Sequence, residues 1–226
     1  MSETRTRKSA VKTKAAQVGK PATAAVKAVK KGGTKVARAD RQVTHASARF
    51  RDRPAMKLFA TLIEAGDQPP LIVASAGTLL VGLLTRRGDL MRGGVRMLAS
   101  HLLATGAKLA IKHQFDRTRP SEALAHGHRF EKGDRGGHEE KSFPSGHTAG
   151  AVAVARAAAH EIDGSAIPAT IATVAIAAGQ APTGNHYLSD IVAGAAIGWA
   201  AEAVVGTAFD WFDDKLAPAV ATSQPD

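Results

Sequence analysis

The 226-residue chain contains no cysteine. That excludes a disulfide framework, a thiol nucleophile and any Cys-ligated zinc or iron–sulfur centre. Aromatic residues make up only 4% of the chain, and none precedes Phe50. A stacking platform for single-stranded nucleic acid therefore has little to be built from, and no specific nucleic-acid partner is expected. Acids are scarce at the N-terminus. Residues 1–53 hold Glu3, Asp40 and Asp52 against 15 Lys and Arg, a net of +12, while the rest of the chain nets −2. The basic character thus belongs to a tail. This tail also lacks a sustained apolar run, so it cannot bury enough surface to offset its ordering entropy, and residues 1–53 are expected to be disordered. With no apolar stretch after the basic residues, it does not read as a secretory signal. It reads as a solvated tail or as a polybasic segment held against anionic lipid, each Lys or Arg near such a surface contributing about 1 kcal/mol.

Beyond the tail the chain is apolar and patterned for helices. Met56, Phe59, Leu62 and Ile63 share one face of a short amphipathic helix over 54–66, with Asp67-Gln68-Pro69-Pro70 as its end. Five apolar segments come next, at 70–85, 93–112, 143–160, 164–185 and 191–209. A membrane span needs about 20 mostly apolar residues. The fourth and fifth segments meet that length, the first is slightly short, and the second and third carry charges (Arg96, His101, Lys108; Arg156). No alternating strand pattern competes. The expected fold class is all-α: a membrane-embedded bundle of about five apolar helices. The expected units are a disordered tail (1–53), a helical domain (54–215) and a C-terminal tail (216–226). Gly194 and Gly198 form a GxxxG pair, and Ser145, Ala149 and Ala153 place small residues four apart, both suited to close helix packing. Arg86, Arg87, Arg92 and Arg96 cluster at the first turn between apolar segments, which argues that this end is cytoplasmic.

Three polar clusters sit at helix ends. His186 and Asp190, at i and i+4, share a helical face. A carboxylate there can accept the proton of one imidazole nitrogen and leave the other free to attack. Pro144-Ser145-Gly146-His147 opens the third segment, where free backbone N–H groups, close approach at Gly and a Ser hydroxyl make an anion site. His147 then stands where it can protonate a leaving oxygen. Lys112 and Arg119-Pro120 bring two positive charges, one of them a planar fork suited to phosphate. His101, Lys108 and Lys112 lie near one stripe of the second segment, which in a membrane faces the bundle interior. Together these groups describe phosphoryl transfer through a phosphohistidine, with no metal and no cofactor required. The loop 121–142 holds His126, His128, His138, Glu139 and Glu140; its glycines predict a flexible, solvated segment rather than a metal site.

Lys112-x6-Arg119-Pro120, Pro144-Ser145-Gly146-His147 and His186-x3-Asp190 resemble the three signature motifs of the type-2 phosphatidic acid phosphatase superfamily, which also includes vanadium-dependent haloperoxidases. The resemblance spans about residues 58–210. It implies metal-independent removal of phosphate from a lipid phosphate or isoprenoid diphosphate. It further implies His186 as nucleophile, Asp190 orienting it, His147 as general acid, and Lys112, Arg119, Ser145 and Gly146 as phosphate-binding residues. The implied location is a prokaryotic cytoplasmic membrane, crossed several times. One position departs: the family's third motif begins Ser-Arg, and counting back from His186 gives Gly179-Gln180. Gln180 can donate a hydrogen bond to phosphate but carries no charge, and losing one charge-assisted contact costs about 1.5–3 kcal/mol. Two alternatives remain open, a catalytically weak lipid-phosphate-binding protein and a haloperoxidase holding vanadate in the same anion site.

Overall fold

A computed structural model of the chain describes residue 35 and residues 37–133 and 137–221. The chain divides into two units, 1–42 and 43–226. In the first, the described residues, 35 and 37–42, are helical; in the second, residues 43–48 are helical (α1). The disorder expected for 1–53 therefore does not extend through 37–48, a stretch rich in Ala and Arg and free of Gly and Pro, which favours helix. Residues 1–34 and 36 lie outside the described residues.

The second unit continues with α2 (Pro54–Ile63) and a 3₁₀ turn at Glu64–Gly66. The helical stretch ends at Asp67, as expected, but Pro69 and Pro70 already belong to the next helix. They lie in the first turn of α3 (Gln68–Thr85), where a missing N–H costs nothing. α3 closes at Arg86 in the left-handed conformation. Then come α4 (Gly88–Lys112), strand β1 (Phe115–Arg117), α5 (Pro120–His126), strand β2 (Phe130–Lys132), a 3₁₀ turn at His138–Glu140, α6 (Gly146–Glu161), α7 (Ala166–Gln180) and α8 (Leu188–Ala221). The helix of α8 runs past the expected boundary at 215; residues 222–226 are not described.

The fold is helical as expected, with one exception. β1 and β2 pair antiparallel, Asp116 opposite Glu131, and Phe115, Phe130 and Phe143 cluster around the pair. The segment expected to be a flexible loop thus contains α5, β2 and a 3₁₀ turn. Strands of three residues are too short for an alternating pattern to show in sequence.

α4 and α6 form the centre. α4 packs on α3, α6 and α8, and α6 on α7 and α8. Small residues set these distances. A Cβ at Gly82 would lie 2.5 Å from the Met91 backbone N, and one at Gly94 2.4 Å from that of Leu79, so α3 and α4 touch backbone to backbone. Gly194 and Gly198 do the same between α8 and α6: their absent Cβ atoms would fall 2.4 Å from the Ser145 carbonyl oxygen and 2.3 Å from that of Ala149. Ala104, Ala153 and Ala201 fill the space between α4, α6 and α8.

Two helices among the described residues, α3 and Leu188–Lys215 of α8, are long and apolar enough to cross a membrane. The fourth apolar segment falls short of the span length expected of it, because α7 covers only Ala166–Gln180. The positive-φ glycines Gly164 and Gly184 bracket it in turns. Large apolar side chains point outward along the bundle, including Val73, Leu80 and Leu84 on α3, Ile167 and Ile171 on α7, and Trp199 on α8. Beside apolar clusters such as Leu71, Met97 and Val154, the interior holds the polar groups Arg96, Ser100, His101, Thr105 and Glu202.

Candidate active site

The three sequence clusters meet at one end of α4, α6 and α8. Ser145 is the N-cap of α6: its hydroxyl accepts from the Thr148 N–H at 3.4 Å and lies 3.0 Å from the Thr148 hydroxyl. Fully buried, that hydroxyl finishes the helix. The N–H groups of Gly146 and His147 have no acceptor inside the helix and sit at its positive end. The Ser145 N–H donates to the Asp190 carbonyl at 3.0 Å, which fixes the start of α6 against the start of α8.

His186 and Asp190 are both buried. They are not a direct hydrogen-bonded pair. His186 Nδ1 lies 3.8 Å from Asp190 Oδ2 and only 2.7 Å from the Ser142 carbonyl oxygen. An acceptor there holds the proton on Nδ1 and leaves Nε2 with its lone pair. The Asp190 carboxylate is instead a hub. Its Oδ2 accepts from the Ser142 hydroxyl at 2.5 Å and the Tyr187 N–H at 2.9 Å; its Oδ1 accepts from Arg117 Nη1 at 2.5 Å. Asp190 therefore holds Ser142, and Ser142 holds the ring. Burial pushes the His186 pKa down to about 4; the Asp190 charge opposes that fall, and those of Arg119 and Lys112 add to it.

Ser142 and Tyr187 are parts of this site that the sequence did not signal, and Arg117 showed there only as a cation near the first motif. Ser142 reaches Asp190 because its segment pairs with the end of β1: the Ser142 N–H donates to the Arg117 carbonyl at 3.0 Å, and the Lys141 backbone bridges to that of Arg117. Arg117 also donates to the Ser189 hydroxyl at 2.7 Å and lies over the Tyr187 ring at 4.1 Å. With its guanidinium on Asp190 and Ser189, it anchors the hub.

Lys112 ends α4 and donates to the Lys141 carbonyl at 3.0 Å, while Lys141 returns a bond to the Lys112 carbonyl at 2.9 Å. It lies within electrostatic range of Arg119 and Asp190. Arg119 starts α5, and its N–H donates to the Glu139 carbonyl at 2.9 Å. Burial moves its pKa downward. Gln180 is buried, but its Nε2 donates to its own helix at the Ile176 carbonyl (3.3 Å), and its Oε1 has no partner. Its contribution here is backbone: the Gln180 carbonyl accepts from the Asn185 and His186 N–H groups, both at 3.2 Å. His147 is partly exposed, its Nε2 3.5 Å from Glu64 Oε2. Glu64, Asp67 and His147 bring three potential ligand atoms within 4.8 Å of one another, the one such group among the described residues. Of the loop residues, Glu122, His126, Glu139 and Glu140 line a separate polar cavity of about 300 Å³ with Thr118 and Arg129. His128 packs edge-on against Tyr187.

Residues 93–213 match the PAP2 superfamily, more than half of the chain. The chain belongs to the PAP2 superfamily. No curated protein sequence matches it. Among solved structures, LpxE of Aquifex aeolicus superposes with a TM-score of 0.56 at 18% identity, covering 74% of this chain and 93% of that one. The first transmembrane PAP2-type phosphatidylglycerolphosphate phosphatase from Bacillus subtilis superposes with a TM-score of 0.53 at 22% identity, covering 80% and 87%. At these identities the likeness is one of fold.

Proposed function

We propose that this PAP2 protein is a membrane-embedded, metal-independent phosphatase that hydrolyses a lipid phosphate or isoprenoid diphosphate through a phosphohistidine. The observation that carries the reading is the fixed tautomer of His186: Nδ1 against the Ser142 carbonyl, Nε2 free, and a ring that burial keeps neutral. A neutral buried imidazole is a nucleophile at physiological pH. Nε2 attacks phosphorus while the bond to the lipid oxygen breaks, and His147 gives that oxygen a proton. The phosphorylated ring becomes cationic, and the Asp190 carboxylate 3.8 Å away stabilises it. Water then attacks phosphorus, His147 takes its proton, the P–N bond breaks and inorganic phosphate leaves. Lys112, Arg119 and the N–H groups of Gly146 and His147 hold the non-bridging oxygens. His147 cannot serve as the acid and also ligate a metal with Glu64 and Asp67. We assign it the proton.

The outward apolar faces of α3, α7 and α8 around an interior that holds buried charges support a lipid environment, and the substrate is expected to enter from it. Contact of the basic tail with anionic lipid belongs to the same proposal. A second reading, a weakly active lipid-phosphate-binding protein, is favoured by one feature: the Gln180 donor is turned away to Ile176. Phosphate release from lipid mono- and diphosphates in excess chelator, by wild type and His186→Ala, separates the two. The phosphatase reading expects release that the variant abolishes. A folded wild type that binds lipid phosphate without releasing phosphate supports the second.

A further inference from the structure

Lys108 lies one helical turn before Lys112 on α4. Its ammonium reaches the first residue of α6: a Cβ on Gly146 would fall 2.8 Å from Lys108 Nζ and 3.3 Å from its Cδ. The side chain is half-buried; among the described residues no hydrogen bond or ion pair holds its ammonium, and the Asp67 carboxylate acts on it only through space. An ammonium at a helix N-terminus faces like charge, because the free N–H groups there carry the positive end of the macrodipole. A half-buried cation with no carboxylate in contact at that place is a costly arrangement unless an anion joins it. The other cations of the site are partly committed to the protein itself. Arg117 is bound to Asp190 and Ser189, and Lys112 spends one donor on the Lys141 carbonyl. Gln180, on the other side, offers no charge and points its donor at Ile176.

We propose that Lys108 is a further phosphate-contacting residue, its ammonium lying on the non-bridging oxygens at the Gly146 N–H and supplying the positive charge absent at Gln180. This rests on the phosphatase reading above. Lys108 is not a tether for the fold: nothing in the described structure is held by its Nζ. Its three donors are free to follow charge that develops on the phosphoryl oxygens.

The test uses the full chain in detergent: wild type, Lys108→Met, Lys108→Gln, Lys108→Arg and His186→Ala. Inorganic phosphate binding is measured by calorimetry, and turnover of a lipid phosphate by phosphate release. Lys108→Met and Lys108→Gln are expected to weaken phosphate binding by about tenfold or more, the scale of one charge-assisted contact, with the unfolding midpoint little changed. Lys108→Arg is expected to recover most of it. Gln180→Arg placed on Lys108→Met is expected to restore binding, which a purely structural lysine would not allow. The glutamine variant, polar and of similar reach, serves if the methionine variant does not fold. Undiminished phosphate binding in a folded Lys108 variant, with His186→Ala still abolishing turnover, overturns the role of Lys108 alone. A folded wild type that neither binds phosphate nor releases it overturns the phosphatase reading and this one with it.

Discussion

His186 shows how a residue's surroundings decide its chemistry. The i, i+4 spacing from Asp190 was legible in the sequence and suggested a direct pair. The folded chain inserts Ser142, whose carbonyl accepts from the imidazole Nδ1 at 2.7 Å while its hydroxyl is held by Asp190. Nothing near residue 142 announces this, because its position comes from pairing with β1, a contact made at long range. The candidate residues His147, Ser145, Gly146, Lys112 and Arg119 were legible because each belongs to a short motif at a helix end. Arg117 was visible only as another cation, and its place on Asp190 depends on tertiary structure. The buried ring has a testable consequence. Its pKa is lowered to about 4 by burial, so the proposed nucleophile stays neutral as pH falls through the ordinary histidine range and is lost only near pH 4. The acid limb of kcat/KM, corrected for ionisation of the substrate phosphate, is expected well below about 6.5, the unperturbed histidine value. A limb at the unperturbed value contradicts a buried, neutral His186.

At the scale of elements, the site depends on how closely α6 and α8 approach. The GxxxG pair Gly194/Gly198 and the small-residue series Ser145, Ala149, Ala153 both appear in the sequence, and they turn out to face one another. That approach lets the Asp190 carbonyl receive the Ser145 N–H and joins the Asp190 hub to the start of α6, the proposed anion site. A Val at Gly194 must displace backbone at Ser145, not a flexible side-chain tip. Gly194→Val is expected to cost about 1–3 kcal/mol, the usual penalty of overpacking, and to lower kcat out of proportion to that loss, since it separates Asp190 from Ser145. Denaturation in detergent and phosphate release on the folded fraction check both parts. Unchanged turnover contradicts the coupling of the two helices. The small β1–β2 pair escaped the sequence reading, yet it positions Ser142 and Arg117.

Across the molecule, charge is sorted by end. The candidate site occupies the C-terminal end of α4 and the N-terminal ends of α6 and α8. At the opposite end, Arg96 pairs with Glu161 and Glu202, Arg92 with Glu161 and Asp213, and Arg156 with Glu202. In sequence, Arg92 and Arg96 counted toward a positive loop. Folded, they meet acids contributed by α6 and α8, which composition cannot reveal. Removing one partner of such a buried network leaves an unpaired charge, which ties these helices together far from the chemistry. The helical class and the apolar segments were legible because period and hydropathy are local. The short extent of α7 was not, because its ends are set by turns at Gly164 and Gly184.

The central claim is that phosphate passes through Nε2 of His186. The most direct measurement is to mix the purified chain with lipid phosphate in excess chelator, quench in alkali and map phosphoryl groups by mass spectrometry. An acid-labile, base-stable phosphoryl group is expected on the peptide carrying His186, absent in His186→Ala, whose turnover falls to background. Continued turnover by His186→Ala, or turnover by wild type with His186 never phosphorylated, would contradict the claim.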